Sequence, residues 1–379
     1  MTTSRAGAPL DALERPSLRY FDGESPAAPG ALEIADGLLW IRMPVPFGVE
    51  VVNLWAIREG EGWALVDTGV HNEATVSAWE SLLAADGPLQ GRPVTRVFVS
   101  HMHPDHLGMA GWLTRRFGCA LWMCSLEFFA ARASLAEAKG ETPPDELAFL
   151  HEAGWEPEAL AAYRSERAAF AELIHPLPAA HVRLEDDRTL RIGAHDWRVI
   201  VGVGHTQAHA SLYCPALGTL ISGDQIIARI SSNVSVTAAE PRADSLGRWL
   251  ASLAKMRRVA PPDVLVLPSH NEPFRGLHAQ IDYLDAGHRR SLWGLWQQMD
   301  EPIRAVDALP LLFSRPVGAH PTTQLLAIGE SLANLNHLLA RGCVERRLDA
   351  RGVAWWSRRP DCPPSDLAPE ASLEEEPIT

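Results

Sequence analysis

Short apolar runs rich in β-branched and aromatic residues follow one another from Ala31 onward, at 31–34, 37–43, 49–58 and 63–67. Each is bounded by Gly, Pro or charged residues and is too short for a buried helix, so each predicts a strand. Gly60-Glu61-Gly62 predicts the hairpin turn between the last two. The spacing becomes helical over 72–85, where Asn72 is placed to cap the first turn and Glu73 lies near its positive end. A strand at 95–100, a helix at 105–117 and a strand at 119–124 follow. Residues 125–180 are rich in Ala, Glu and Leu and predict an inserted set of helices, 126–139, 144–153 and 157–173. The β pattern resumes at 182–184, 189–192, 197–203, 210–214 and 219–221. A loop at 228–240, a helix at 243–259, a strand at 263–267 and a long helix at 277–299 complete this region. Two strand-rich halves, each followed by helices, imply an α+β fold of four layers, αββα, with the sheets face to face.

The flanks read differently. Residues 1–30 carry Pro, Gly and charges and predict a flexible arm before a main domain at 31–299. Residues 300–358 hold two helical runs, 305–313 and 322–340, then two short strands, 346–348 and 353–356, and read as a separate small module. Residues 359–379 predict a disordered acidic tail.

The chemistry gathers where strands stop. Ser100 to Gly108 reads Ser-His-Met-His-Pro-Asp-His-Leu-Gly, which puts His101, His103, Asp105 and His106 directly after an apolar strand. Imidazole nitrogen and carboxylate oxygen are donors that zinc and similar divalent ions favour. His101 and His103 are two apart and point the same way in an extended tip, whereas Asp105 and His106 lie beyond Pro104 and can serve a second position. His205, Asp224 and His270 each end another β-rich run. That recurrence places all seven side chains on one edge of the sandwich, where loops form sites. Asp67, after the strand at 63–67, is placed to hold a ligand histidine from behind. His209 is read as packing beside the site, and His71 as an exposed turn residue.

Composition narrows the partners. The net charge is −13, which disfavours nucleic acid and anionic membrane, since both need a positive face. The 5 cysteines lack metal spacing and form no framework, which predicts reduced thiols and a cytoplasmic location. No apolar run approaches the ~20 residues of a membrane span.

The ordered set His101-x-His103-x-Asp105-His106, His205, Asp224 and His270, with Asp67-Thr68-Gly69 upstream, resembles the metallo-β-lactamase-fold superfamily of hydrolases over about residues 31–280. The resemblance implies a metallo-β-lactamase sandwich with two divalent ions, zinc first, with iron and manganese suited by the same donors. It implies His101, His103 and His205 on one ion and Asp105, His106 and His270 on the other, with Asp224 bridging. Asp105 and Asp224 are the carboxylates assigned to catalysis. A bridging carboxylate points to the glyoxalase II-like, lactonase-like and phosphodiesterase-like members, and the 300–358 module resembles the winged helix at the C-terminus of several members. The implied reaction is attack by a metal-bridging hydroxide on a small acyl ester, a thioester first and a lactone second. A nucleic-acid-processing phosphodiesterase is the competing class. The loop Pro44-Val45-Pro46-Phe47-Gly48 would border the site, the insert at 125–180 would wall or cover it, and the module leaves room for a homodimer.

Overall fold

The computed structural model describes residues 14–368 apart from 49 and 139, with the backbone alone at 165–170. The strands are β1 (Arg19–Tyr20), β2 (Gly30–Ala35), β3 (Leu38–Pro44), β4 (Val51–Glu59), β5 (Gly62–Val66), β6 (Val94–Phe98), β7 (Ala120–Met123) and β8 (Val182–Arg183). They continue as β9 (Thr189–Ile192), β10 (His195–Gly202), β11 (His209–Cys214), β12 (Thr219–Gly223), β13 (Leu265–Pro268), β14 (Phe274–Arg275), β15 (Val344–Leu348) and β16 (Ala354–Arg358). The helices are α1 (Glu73–Leu82), α2 (Pro104–Leu107), α3 (Ala110–Phe117), α4 (Ser125–Glu137), α5 (Pro144–Glu152), α6 (Pro157–Glu172), α7 (Ser245–Val259), α8 (Leu277–Gln297), α9 (Leu309–Leu312) and α10 (Pro321–Ala340).

Two 7-stranded sheets face each other, one in the order β2-β3-β4-β5-β6-β7-β8 and the other β1-β14-β13-β12-β11-β10-β9. Alternation along β3 decides which side each residue takes. Leu38 and Trp40 point into the core between the sheets, with Trp55, Trp197 and Leu212. Leu39, Ile41 and Met43 point outward, beneath Trp79 of α1 and Leu113 of α3. The outer face of the second sheet is covered by α7 and α8 through Trp249, Leu253, Ile281 and Leu284. The four layers of the sandwich are therefore present. Among the described residues no helix is long and apolar enough to cross a membrane.

Strands β5 and β6 are parallel, as are β12 and β13. The turns that follow these strands collect at one edge, and they carry Asp67, the His101–His106 segment, Asp224 and His270.

The helix expected at 105–117 is two helices, α2 and α3, broken at Gly108-Met109. The Asp67-Thr68-Gly69 turn causes the break by taking the hydrogen bonds a continuous helix would use. Gly69 N donates to Asp105 O (3.1 Å), Thr68 N to His106 O (2.9 Å), and Met109 N to Gly69 O (3.0 Å). The approach is close enough to exclude any side chain at 108: a Cβ there would lie 2.5 Å from the carbonyl oxygens of Gly69 and Pro104.

The arm and the module also differ from expectation. In the segment expected as a flexible arm, β1 pairs with β14, and Arg229 lies over the Tyr20 ring; residues 1–13 lie outside the described ones. The module at 300–358 shares one core with the second sheet, with Ile328, Leu332, Leu335 and Trp356 packed in the same cluster as Val266 and Trp249. Residues 359–368 close that core with Leu367, and Asp366 pairs with Arg341; the rest of the expected tail, 369–379, is outside the described residues. The inserted helices divide their contacts. Phe128 and Ala131 of α4 pack on the first sheet's outer face, and Leu150, Trp155 and Tyr163 pack into the core shared with the module. The expected end at Lys139 and start at Val49 fall on undescribed residues.

Gly108→Ala should lower stability by about 1–3 kcal/mol, the usual range for overpacking a tight contact. Denaturant unfolding of the two proteins measures it, and an unchanged midpoint would mean that the ligand turn is not held this closely.

Candidate metal centre

Each predicted ligand arrives at the edge in a defined orientation because something behind it takes its second polar atom. Asp67 is 1% exposed, and its carboxylate accepts from Ser100 N (2.7 Å), Ser100 Oγ (2.8 Å) and His106 Nδ1 (2.8 Å). Ser100 Oγ donates its hydrogen bond to Asp67, so it accepts from His101 Nδ1 (3.0 Å). His205 Nδ1 donates to Asn233 O (2.7 Å) and His270 Nδ1 to Val51 O (3.1 Å). Four imidazoles are therefore held through Nδ1 and turn Nε2 to the interior. His103 differs, presenting Nδ1, 2.9 Å from His101 Nε2.

Those atoms form two adjacent groups. His101, His103, His205 and Asp224 offer donor atoms that all lie within 4.8 Å of one another, as do those of Asp105, His106 and His270. Asp224 lies between them: Oδ2 is 3.4 Å from His205 Nε2 and 3.5 Å from His106 Nε2, and Oδ1 is 3.6 Å from His270 Nε2. The structure thus brings together all seven side chains singled out in the sequence. His205 and His101 set their Nε2 atoms 3.2 Å apart, and the buried atoms His106 Nε2 and Asp224 Oδ1 have no hydrogen-bond partner. Imidazole nitrogens and carboxylate oxygens converging at one place fit a cation, and the N/O donor set fits a divalent one.

The electrostatics divide along the same line. Burial and the neighbouring histidines hold His101 well below the usual imidazole range, and burial with His205 brings His103 down to about 3. Burial works to lower His106 and His270 as well, but facing carboxylates overcome it; His106 lies well above the usual range, and His270 is pushed up to about 10. Burial works to raise Asp105 and Asp224, yet His106 and His270 hold both well below the carboxylate range.

His209 lies beneath this arrangement, fully buried, and its Nε2 accepts from Asp224 N (3.1 Å). It thereby holds the backbone of Asp224 and stands outside the two groups. His71 is elsewhere, with its ring against His175. Phe47 is 44% exposed in the β3–β4 loop.

Two supporting residues were not recognised in the sequence. Glu127 of α4 is 1% exposed, and its carboxylate accepts from Met102 N (3.0 Å) and Ala208 N (2.7 Å). One acid from the insert thus ties the His101–His103 turn to the His205 loop. Its only signal is position, four residues before Ala131 on the buried stripe of α4. Asn53 fixes the other side of the site. Its backbone N donates to Ser269 O (2.7 Å), and its Nδ2 donates to Pro268 O (2.9 Å) and Asn271 O (2.7 Å), which pins the His270 turn to β4. A polar residue in an apolar strand is the trace it leaves.

The chain is similar to known proteins. The sequence profile of the Metallo-beta-lactamase superfamily matches residues 47–270, and that of the Metallo-beta-lactamase-like C-terminal domain matches 292–359. "Probable metallo-hydrolase YqjP" of Bacillus subtilis (strain 168) is 23% identical over 328 residues, covering 82% of this chain and 94% of that protein. Among solved structures, a beta-lactamase domain protein from Burkholderia ambifaria is 36% identical with a TM-score of 0.81, covering 90% of this chain and 98% of that one. A metallo-beta-lactamase family protein from Thermus thermophilus is 25% identical with a TM-score of 0.73, covering 86% and 100%.

Two expectations follow. Without metal, the His270 pairs hold a proton that ordinary histidine loses near ~6.5. Their contribution is fully present below that pH and is lost as pH rises through about 10. Uptake of a divalent ion at pH 7 should expel this proton, measurable as buffer-dependent binding heat in calorimetry. Heat independent of the buffer would contradict the assignment. Glu127→Ala leaves the amides of Met102 and Ala208 buried without an acceptor, at about 1–3 kcal/mol each. The variant should melt lower and bind metal more weakly, whereas full metal affinity would show that the insert does not hold the site.

Proposed function

Because the chain belongs to the metallo-β-lactamase superfamily, we propose that it is a hydrolase of small acyl thioesters carrying two divalent ions, zinc first. The observation that carries this reading is the position of Asp224, whose carboxylate oxygens face histidines of both groups. His101, His103 and His205 would hold one ion, Asp105, His106 and His270 the other, and Asp224 would bridge them. When bound, a pair of such ions acidifies a water and polarises a carbonyl. The chain's own part is orientation. Asp67 and Ser100 fix the rings of His106 and His101, Asn233 O and Val51 O fix those of His205 and His270, and His209 fixes the backbone of Asp224.

Three exposed apolar side chains, each close along the chain to a group that supports the site, favour an acyl substrate. Phe47, Ile230 and Leu326 are 44%, 43% and 42% exposed. Phe47 lies in the β3–β4 loop, just before Val51 of β4, whose carbonyl holds His270. Ile230 follows closely on Ala228, whose carbonyl accepts from Asn271 beside that histidine. Leu326 O accepts from Ser235, close to Asn233. Three apolar surfaces supplied by three separate elements suit an aliphatic or aromatic acyl group better than a phosphodiester backbone. A thiolate leaves with little acid assistance, which favours a thioester over an unactivated ester. The free state of the cysteines supports a cytoplasmic setting.

Purified protein should contain about two equivalents of metal per chain, and thioester hydrolysis should slow below about neutral pH as the attacking water regains its proton. Asp224→Ala should abolish turnover with the fold retained, and His209→Ala should cost less than His205→Ala. A panel of thioesters, lactones, phosphodiesters and β-lactams decides the substrate. Lactone turnover far above every thioester would move the assignment to a lactonase, and phosphodiester turnover alone would end the acyl reading.

A further inference from the structure

The carbonyl that orients His205 belongs to Asn233, in the loop between β12 and α7, and that loop is fastened to the C-terminal helix α10. Asn233 Nδ2 donates to the Glu330 carboxylate (3.0 Å), Ser235 Oγ to Leu326 O (3.3 Å), and Val236 N to Gly329 O (2.9 Å). Loop and helix touch so closely at Gly329 that a Cβ there would lie 2.7 Å from both Cβ and Oγ of Ser235. Val234 and Val236 anchor the same loop in the core that α10 shares. The three polar contacts occupy one helix face, at Leu326, Gly329 and Glu330, which are three and four apart.

We propose that α10 positions the His205 imidazole through Asn233, with Glu330 as the positioning residue, so that the C-terminal segment sets how firmly the His101–His103–His205 group holds its ion. A ligand histidine binds only as well as its other ring nitrogen is held, and loss of such a supporting contact typically costs 10–100-fold in metal affinity. Here the support comes from the segment matched at 292–359, outside the segment matched at 47–270 that carries the ligands. Burial pushes the Glu330 carboxyl up to about 7 despite the Asn233 donor, in keeping with an acid kept at this place for the contact it makes. The inference rests on the two-ion reading above.

The test uses the full chain loaded with Co2+, which reports both affinity, by competition with a chelator, and ligand geometry, by its visible spectrum. Wild type, Asn233→Ala, Glu330→Ala, Glu330→Gln and Arg341→Ala are compared. Asn233→Ala and Glu330→Ala should each weaken one of the two equivalents by up to about 10-fold, since the carbonyl stays but its tether is lost, with an altered spectrum for that ion. Glu330→Gln keeps an acceptor for Asn233 and should stay close to wild type. Arg341→Ala removes the Asp366 pair near the end of the same helix and should leave both ions bound as before. Should Glu330→Ala fail to fold, Asn233→Ala decides the matter, since it alters a loop side chain. Unchanged affinity in Asn233→Ala, or an equal loss in Arg341→Ala, overturns the inference while leaving the two-ion reading standing. A wild-type chain that takes up no cobalt removes both.

Discussion

The His101–His106 turn is referred to one buried carboxylate. Asp67 stands at the end of β5 with φ +62°, a left-handed conformation that costs a non-glycine residue of order 1 kcal/mol or more. That conformation turns its side chain under the ligand turn, where both oxygens are taken by Ser100 and His106. The carboxylate fixes His106 directly and His101 through the Ser100 hydroxyl, so one residue sets the ring orientation of a member of each group. The Thr68 and Gly69 amides beside it interrupt the helix that would otherwise run through 105–117. Remove this anchor and His106 and His101 lose the hydrogen bonds that fix their rings.

The remaining ligands are held from different directions. His270 is held from the first sheet by Val51 and Asn53, across the mouth of the sandwich. His205 is held through Asn233, and its loop is also tied to the first ligand turn by Glu127 of the insert. The site therefore depends on both sheets and on the helices between β7 and β8. This is what a cluster of convergent lone pairs requires, because each ring must be kept from turning away from its neighbours.

The sequence made the sandwich and the cluster of seven His and Asp side chains legible for one reason: short apolar strands end abruptly in His and Asp. His101, His103, Asp105, His106, His205, Asp224 and His270 all announce themselves in this way, and all converge. Among the supports only Asp67 did so, because the others act on or through backbone atoms. Val51 and Asn233 contribute carbonyls that any residue could supply, and Glu127 looks like one more acid in a helix rich in them. The α2–α3 break was hidden because the cause lies near Gly69, far away in sequence. The module at 300–358 read as separate because its boundary residues are polar, while its apolar positions match a core that only the fold assembles. Strands β1 and β14, of two residues each, are too short to leave a period.

The shared core has a consequence for how such a chain can change over generations. Two family profiles meet side by side along the sequence, which suggests units that could be exchanged by recombination. Yet Leu332, Leu335 and Trp356 interlock with Trp249, Val266 and Leu284, so a crossover between 270 and 292 would cut through packed side chains and leave unmatched surfaces on both pieces. The C-terminal segment is therefore expected to drift in step with the second sheet, one compensating substitution at a time. The exposed residues Phe47 and Ile230 lie outside that core and are under no such restraint, so they can change while the fold stands still.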